Sequence, residues 1–216
     1  YSEKHLGVSP LGRVLEQGAP GQDWMVDKAV DTDHTIKFEY LSNTLDKNDD
    51  TKDNVRYLKV TFADPNNTEA PTLAYDGYYS ANTLYKTVTK DENWQPGQQY
   101  VNDHTTEEFK DKQGRVILKR TYDDNLRHDT QYVYDDFGNL TYVLSPEGSE
   151  NILDGSNNIQ QAVLDHLCYQ YRYDYRNRLI EKKIPGKGWE YIIYDTLDRP
   201  ILTQDANQEQ SNQWLF

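Results

Sequence analysis

The sequence predicts an all-β protein in which repeated β-hairpins build an antiparallel sheet, with one short inserted helix. Two observations carry this. A short turn motif recurs in one register, and the residues flanking it alternate. The composition agrees: 18 Tyr and 4 Trp stand against 5 Phe and 1 Met. Tyrosine favours half-buried sheet surfaces, where the ring packs and the hydroxyl reaches water.

Four segments share the register. They are Asp111-Lys112-Gln113-Gly114-Arg115-Val116, Asp135-Asp136-Phe137-Gly138-Asn139-Leu140, Asp174-Tyr175-Arg176-Asn177-Arg178-Leu179 and Asp195-Thr196-Leu197-Asp198-Arg199-Pro200. Three residues after the Asp stands Gly, Gly, Asn or Asp, types that tolerate a left-handed backbone. Gly114, Gly138, Asn177 and Asp198 are therefore expected at equivalent turn positions with positive φ. The leading Asp accepts hydrogen bonds from turn amides two or three residues on, which favours a turn over a continuing strand. A fifth, degenerate copy reads Ser9-Pro10-Leu11-Gly12-Arg13-Val14.

The flanks alternate on both sides. Tyr132 and Tyr134 share one face, as do Tyr169, Tyr171 and Tyr173; after the turn Leu140, Tyr142 and Leu144 do so. Strand, tight turn, strand is a β-hairpin. The leading Asp residues are spaced by 24, 39 and 21, so the longer gaps hold insertions.

A second echo runs at an offset of 165: Arg13, Glu16, Pro20, Gly21 and Trp24 match Arg178, Glu181, Pro185, Gly186 and Trp189 without a gap. Proline ends a ladder and glycine permits reversal. Both Pro-Gly segments are expected to form one local structure with the Trp packed beside it. Truncating a buried Trp189 would then cost about 3–5 kcal/mol.

These residues carry a resemblance. Tyr134-Asp135 through Leu140, Tyr173-Asp174 through Leu179 and Tyr194-Asp195 through Arg199 resemble the YD repeats of the Rhs family, which includes bacterial polymorphic toxins, toxin-complex shells and teneurins. Residues 132–144 and 182–192 are similar to a surface-exported bacterial branch of it. The resemblance implies one long curved or spiralling sheet, part of a hollow Rhs-type shell. It also implies a secreted or cell-surface location, and a role enclosing or displaying a C-terminal toxin or adhesive domain. The implied partners are the rest of the shell, an enclosed toxin domain, export machinery or outer-surface proteins. The family's autoproteolytic Asp site lies in a C-terminal core motif that no stretch here matches, so that activity is not carried over.

The chain divides by pattern into a degenerate repeat at 1–24, a β-rich insertion or companion segment at 25–107, repeats at 108–205 with an insertion at 146–168, and a polar tail at 206–216. Strands are expected at 34–41, 55–62 and 84–90, with turns at Pro65-Asn66-Asn67 and Trp94-Gln95-Pro96-Gly97. One helix is expected at 157–167, striped by Ile159, Val163 and Leu167 and capped by Ser156 or Asn157. The tail 205–213 reads as mobile. The first residue is Tyr1 rather than Met, as expected of a processed or excised piece.

Other readings are weighed on the same residues. The formal charge of -13 disfavours nucleic acid and anionic membrane surfaces. No apolar run approaches the roughly 18 residues of a membrane span. Cys168 stands alone, which reads as a buried inert thiol and permits no intrachain disulfide. Asp46-Lys47-Asn48-Asp49-Asp50 has Thr51 and Tyr57 where a calcium loop needs Gly and Glu, so it reads as a solvated loop. His5, His34, His104, His128 and His166 lack metal-ligand spacing. Neither a nucleophile elbow nor a phosphate loop is present, so no catalytic residue, metal or cofactor is expected. Counting carboxylates leaves a glycosidase pair open, although the repeat aspartates already have a turn role. Asp195-Thr196-Leu197 fits a short O-glycosylation pattern and equally an ordinary turn. The alternative function is an extracellular carbohydrate-binding module using Tyr residues with Trp24, Trp94 and Trp189 as platforms. A glycan array comparing Trp94→Ala with a core Tyr change separates that reading from a structural one.

Overall fold

The computed structural model describes every residue except Tyr1, Lys28, Asp50, Pro65 and Asn66. The turn expected at Pro65-Asn66 and the end of the Asp46–Asp50 loop lie outside the described residues.

Among the described residues, fourteen strands and three α-helices follow one another. The strands of the first half are β1 (Glu3–Leu6), β2 (Val14–Gly18), β3 (Ile36–Ser42), β4 (Arg56–Phe62), β5 (Pro71–Tyr78), β6 (Tyr85–Lys90), β7 (Thr105–Lys110) and β8 (Val116–Asp123). Then come β9 (Leu126–Tyr134), β10 (Leu140–Leu144), α1 (Pro146–Asn151), α2 (Gln161–Leu167), β11 (Cys168–Tyr173), β12 (Leu179–Lys183), β13 (Trp189–Tyr194), β14 (Pro200–Gln204) and α3 (Ala206–Gln210). Twelve strands form an open antiparallel sheet in the order β1-β2-β3-β6-β7-β8-β9-β10-β11-β12-β13-β14, and β4-β5 form a separate hairpin. The protein is all-β, and except at the β3–β6 join each strand of the large sheet pairs with its neighbours in sequence. Among the described residues no helix is long and apolar enough to cross a membrane.

Two compact units divide the chain: Tyr1–Val55 with Tyr79–Asp129, and Arg56–Tyr78 with Thr130–Phe216. In the first unit, β3 does not pair with the strand that follows it in sequence. It pairs with β6, Leu41 opposite Lys86 and Ser42 opposite Tyr85. Asn43 closes this join: its amide donates to the Leu84 carbonyl, and its side-chain oxygen accepts the amides of Thr83 and Leu84. Phe109, Leu118, Val55 and Leu84 are buried here. Beside them lies a buried charge network. Asp53 meets Lys86 at 2.7 Å, and Lys86 meets Glu107 at 2.8 Å. Arg120 holds Asp129 through two bonds of 2.6 and 2.8 Å and caps the Asp53 carbonyl at 3.0 Å. Burial works against the charge on Arg120, but Asp129 outweighs it and raises the guanidinium pKa. Burial and the neighbouring Glu107 likewise push the Tyr122 hydroxyl up to about 12.

In the second unit, the β4-β5 hairpin lays Leu58, Val60 and Leu73 in one core with Val133, Tyr142, Leu144 and Cys168. A two-stranded hairpin is marginal alone and needs such a face. Tyr142 donates its hydroxyl to the Pro71 carbonyl at 2.8 Å, and Arg56 donates to the Ser149 carbonyl. Burial, with Asp165 nearby, pushes the Cys168 thiol up to about 12. That is an inert thiol at neutral pH.

The single helix expected at 157–167 is corrected. Helix begins only at Gln161, because Asp154 captures the amides of Ser156 and Asn158 and Asn157 is left-handed at φ 65°. Leu153 and Ile159 form a bridge instead. Two further short helices were missed. Ser145 caps α1 by accepting the Gly148 amide, with Pro146 in the first turn. Asp205 and Gln208 form a capping box on α3.

The tail is also docked rather than loose. Thr203 and Leu215 exchange backbone bonds of 3.0 and 2.9 Å. A Cβ on Gly188 would come within 2.5 Å of the Ala206 Cβ. Gly188→Ala should therefore lift α3 from the sheet. Hydrogen exchange at the Thr203 and Leu215 amides checks this, and unchanged protection would contradict it.

The two Pro-Gly-Trp segments differ, which corrects the expected match. Ile184–Lys187 is a tight turn with Gly186 at φ 72°, and Trp189 opens β13 at once. After Pro20, Gly21 at φ 132° leads instead into a 3-10 turn at Gln22–Trp24, and the next strand waits until Ile36. Trp24 is exposed and Trp189 only half-buried. Trp189 lies under Arg172, whose guanidinium carbon sits 4.2 Å from the ring centroid. Trp189→Ala should consequently cost about 0.5–1 kcal/mol, the scale of an accessible cation–π contact. Urea unfolding measures it, and a loss above about 3 kcal/mol would restore the buried reading.

Upstream of proline the echo holds. Arg13 lies 4.9 Å from the Tyr40 ring centroid, and Tyr40 donates to the Val14 carbonyl at 2.9 Å. Arg178 lies 4.8 Å from the Tyr194 ring centroid, and Tyr194 donates to the Leu179 carbonyl at 2.9 Å.

Candidate functional site

Each repeat turn is a closed corner built by one aspartate. At Asp174 the amide donates to the Arg178 carbonyl at 3.0 Å, and the Asn177 amide donates back at 2.9 Å. Oδ1 accepts the amides of Arg176 and Arg178 at 2.9 and 3.0 Å. Oδ2 accepts Arg178 Nε at 2.7 Å. One carboxylate thus serves two turn amides and a guanidinium, and its corner replaces a ladder that the strands can no longer continue.

The same set recurs at Asp111 with Gln113 and Arg115, at Asp135 with Phe137 and Asn139, and at Asp195 with Leu197 and Arg199. The third residue after each aspartate is left-handed: Gly114 at φ 83°, Gly138 at 88°, Asn177 at 59° and Asp198 at 61°. The strand registers match as well. Lys110 pairs with Val116, Tyr134 with Leu140, Tyr173 with Leu179 and Tyr194 with Pro200, each beside a bulge.

A further corner went unread in the sequence. Asp154 accepts the amides of Ser156 and Asn158 at 2.8 and 2.9 Å, and Asn158 Nδ2 reaches its Oδ2 at 3.1 Å. Asp154-Gly155-Ser156-Asn157-Asn158-Ile159 carries the motif, but without flanking tyrosines it lies outside the hairpin pattern. The degenerate copy is looser. Gly12 is left-handed at φ 57°, but the Ser9 hydroxyl takes only the Leu11 amide, and Gly7 rather than Ser9 donates to the Arg13 carbonyl.

In the second unit the corners join into a row. Asn139 Nδ2 donates to Asn177 Oδ1 at 3.0 Å. Arg178 Nη1 reaches Asp198 at 2.6 Å, as does Arg176 at 2.9 Å. Tyrosines tie the same corners backwards: Tyr173 donates to the Leu140 carbonyl at 2.8 Å, one hairpin earlier, and Tyr194 to Leu179. Side chains at the left-handed position therefore have a second task, bridging to the preceding corner, which Gly138 cannot perform.

Charge follows geometry. Burial would raise Asp174, but the bonds from Arg178 and the amides of Arg178 and Arg176 hold it below the ordinary carboxylate range. Backbone and side-chain bonds from Arg199 lower Asp195, and those from Asn158 lower Asp154. Carboxylates lowered on folding stabilise above their ordinary pKa near about 4 and lose that contribution as pH falls through the lowered value. Thermal midpoints should fall as pH drops from about 5 toward 2, with the Arg178 and Arg199 amides losing exchange protection first. A flat profile across that window would contradict the corner electrostatics.

The three candidate platform tryptophans, Trp24, Trp94 and Trp189, do not join this row. Trp24 and Trp94 belong to the first unit and Trp189 to the second, each at the strand ends opposite the corners of its own unit. Lys90 Nζ sits 4.0 Å from the Trp94 ring centroid, as Arg172 covers Trp189, so these rings already hold cations on one face.

No family model matches the chain, and no curated protein matches it. Among solved structures, the chain is similar to the crystal structure of TcdB2-TccC3-TEV, at 14% identity and a TM-score of 0.44, over 94% of this chain and 9% of that one. It is similar to a Photorhabdus luminescens Tc holotoxin pore at 14% identity and a TM-score of 0.43, over 93% and 11%. TcdB2-TccC3 without its hypervariable C-terminal region gives 14%, 0.42, 93% and 11%. The chain spans about a tenth of the length of the solved chains it matches.

Proposed function

We propose that this chain is a wall segment of a large secreted YD-repeat protein, a structural element that encloses or displays a C-terminal effector or adhesive domain and has no catalysis of its own. The row of corners supports this most. Its bonds run from one hairpin to the next, Asn139 to Asn177, Arg178 to Asp198 and Tyr173 to Leu140, so they propagate with each added repeat. A repeat whose neighbours complete it builds an extended wall rather than a closed globule. The partners are the remaining repeats of the same protein and the domain they carry, outside the cell. The glycan reading gains less, because Trp94 and Trp189 are occupied by Lys90 and Arg172.

Electron cryomicroscopy of the whole secreted protein tests the proposal. The expected image has the Asp135, Asp174 and Asp195 corners aligned on one rim of a sheet that continues through neighbouring repeats. A chain standing apart as a separate lobe, with no flanking repeats paired to it, would overturn the wall reading.

A further inference from the structure

In the first unit, the strand ends opposite the corners carry three connections, at 19–35, 91–104 and 124–125, and these are knitted into one surface. His34 Nδ1 meets the Glu92 carbonyl at 3.0 Å, and Gln95 donates to the Thr32 carbonyl at 3.4 Å. Asp103 accepts the amides of Asp124 and Asn125 at 3.2 and 3.0 Å, and Asn125 accepts the Asn102 amide at 3.1 Å. Gln98 braces its own loop through the carbonyls of Tyr100 and Asp103 at 2.7 and 2.8 Å. Long connections braced this thoroughly are pre-organised.

What they display is apolar. Trp24 is 38% exposed, Met25 60%, Val30 46%, Val101 64% and Leu126 66%. Two of them are tied to neighbouring rings: Trp24 packs edge-on to His34 at 5.9 Å, and the Val101 carbonyl accepts from Trp94 Nε1 at 3.5 Å. Around them Asp23, Asp31, Asp123 and Asp124 are exposed, with no ion pair among the described residues. Lys90 over Trp94 and Arg127 beside Leu126 add basic charge, but the four aspartates outnumber them, and an exposed apolar patch with a mainly acidic surround marks an interaction surface for a basic partner.

We infer that this surface docks a polypeptide segment in which apolar residues alternate with lysine or arginine. Charge decides between occupants. A second copy of this chain brings a formal -13 to the same carboxylates, an anionic lipid or nucleic acid is repelled for the same reason, and a neutral glycan leaves the carboxylates without a partner. A basic segment answers both the rim and the apolar tips. The inference goes beyond the wall reading and stands independently of it, since a wall needs no apolar loop tips.

The chain contains one methionine, Met25, which makes it a reporter. The test uses the full chain with a twelve-residue Lys-Leu alternating peptide as probe and a Glu-Leu peptide as its counterpart. Bound probe should protect Met25 from peroxide oxidation, read as the gain of one oxygen by mass spectrometry. Met25→Ser with Val101→Ser and Leu126→Ser should weaken probe binding by roughly 10-fold or more, and Asp23→Asn with Asp31→Asn and Asp124→Asn by a similar factor that shrinks in high salt. The control, Asp136→Asn with Glu209→Gln and Glu147→Gln in the second unit, removes the same charge and should change affinity by less than about 2-fold. All positions are exposed, and thermal melts establish that each variant is folded. Equal weakening by the control, no Met25 protection, or equal binding of the Glu-Leu peptide would each overturn the inference.

Discussion

Arg120→Ala should destabilise the first unit by about 3–5 kcal/mol, the scale of removing one partner from a buried ion pair. Arg120 is almost wholly buried, holds Asp129 by both oxygens and caps the Asp53 carbonyl. It also faces Glu107 across the β7–β8 pair, with Nη1 3.7 Å from Oε2, an oxygen that otherwise has no hydrogen bond. Deleting it leaves Glu107 Oε2 buried without a partner and takes the guanidinium from half-buried Asp129, while Lys86 is already committed to Asp53 and to Glu107 Oε1. Arg120→Lys keeps the charge but loses the planar fork, so it should recover only part of the loss. Urea unfolding gives the free energy, and amide exchange at Glu107 and Lys119 locates it. A cost under about 1 kcal/mol would mean that the network contributes nothing net, as exposed pairs often do.

Asp174→Ala should cost about 2–4 kcal/mol, less than a buried ion pair but more than an ordinary turn residue. It removes the acceptor of two amides, at about 1–1.5 kcal/mol each, and of the Arg178 side chain, whose guanidinium is screened by water and adds less than a buried charged bond. Arg178 then loses the anchor that aims it at Asp198, so the damage should reach the next corner. Asp174→Asn keeps the Oδ1 bonds and loses the carboxylate's charge, which should place it between wild type and alanine. Asp136→Ala, one residue past the previous corner aspartate and exposed, should be neutral to within about 0.5 kcal/mol. Exchange at the Asp198 and Arg199 amides reads the spread. If Asp174→Ala left those amides as protected as in the wild type, the corners would be independent rather than coupled.

The corners were legible because their determinants lie within five consecutive residues. An aspartate reaches the amides two and four positions on, where two or three were expected, without help from the rest of the chain, and the third position needs a residue that accepts a left-handed backbone. The alternation around Tyr132–Tyr134 and Tyr169–Tyr173 added the strands. The helix boundary at 157–167 failed on the same physics: the apolar stripe was read, but Asp154 with Asn157 and Asn158 had already spent those residues on a corner. The caps Ser145 and Asp205 were equally local signals; at Asp205 the polarity of the segment suggested a loose tail instead.

What only the tertiary structure decided is where each buried face goes. Leu58 and Val60 announce a strand with one covered side, but alternation is silent about its hairpin partner, Pro71–Tyr78, and about the cover, which turns out to be Val133, Tyr142 and Leu144. Asp53 reads as one more acid in a polar loop, yet folding sets it against Lys86 and Arg120. Trp24 and Trp189 share a sequence frame and part ways because one proline leads into a tight hairpin and the other into a long connection. The sequence by itself determined the repeating corner and the strand order it imposes, since those bonds form between near neighbours. The pairing of insertions with cores, and of buried charges with each other, depends on contacts between residues far apart in the chain, which no local pattern encodes.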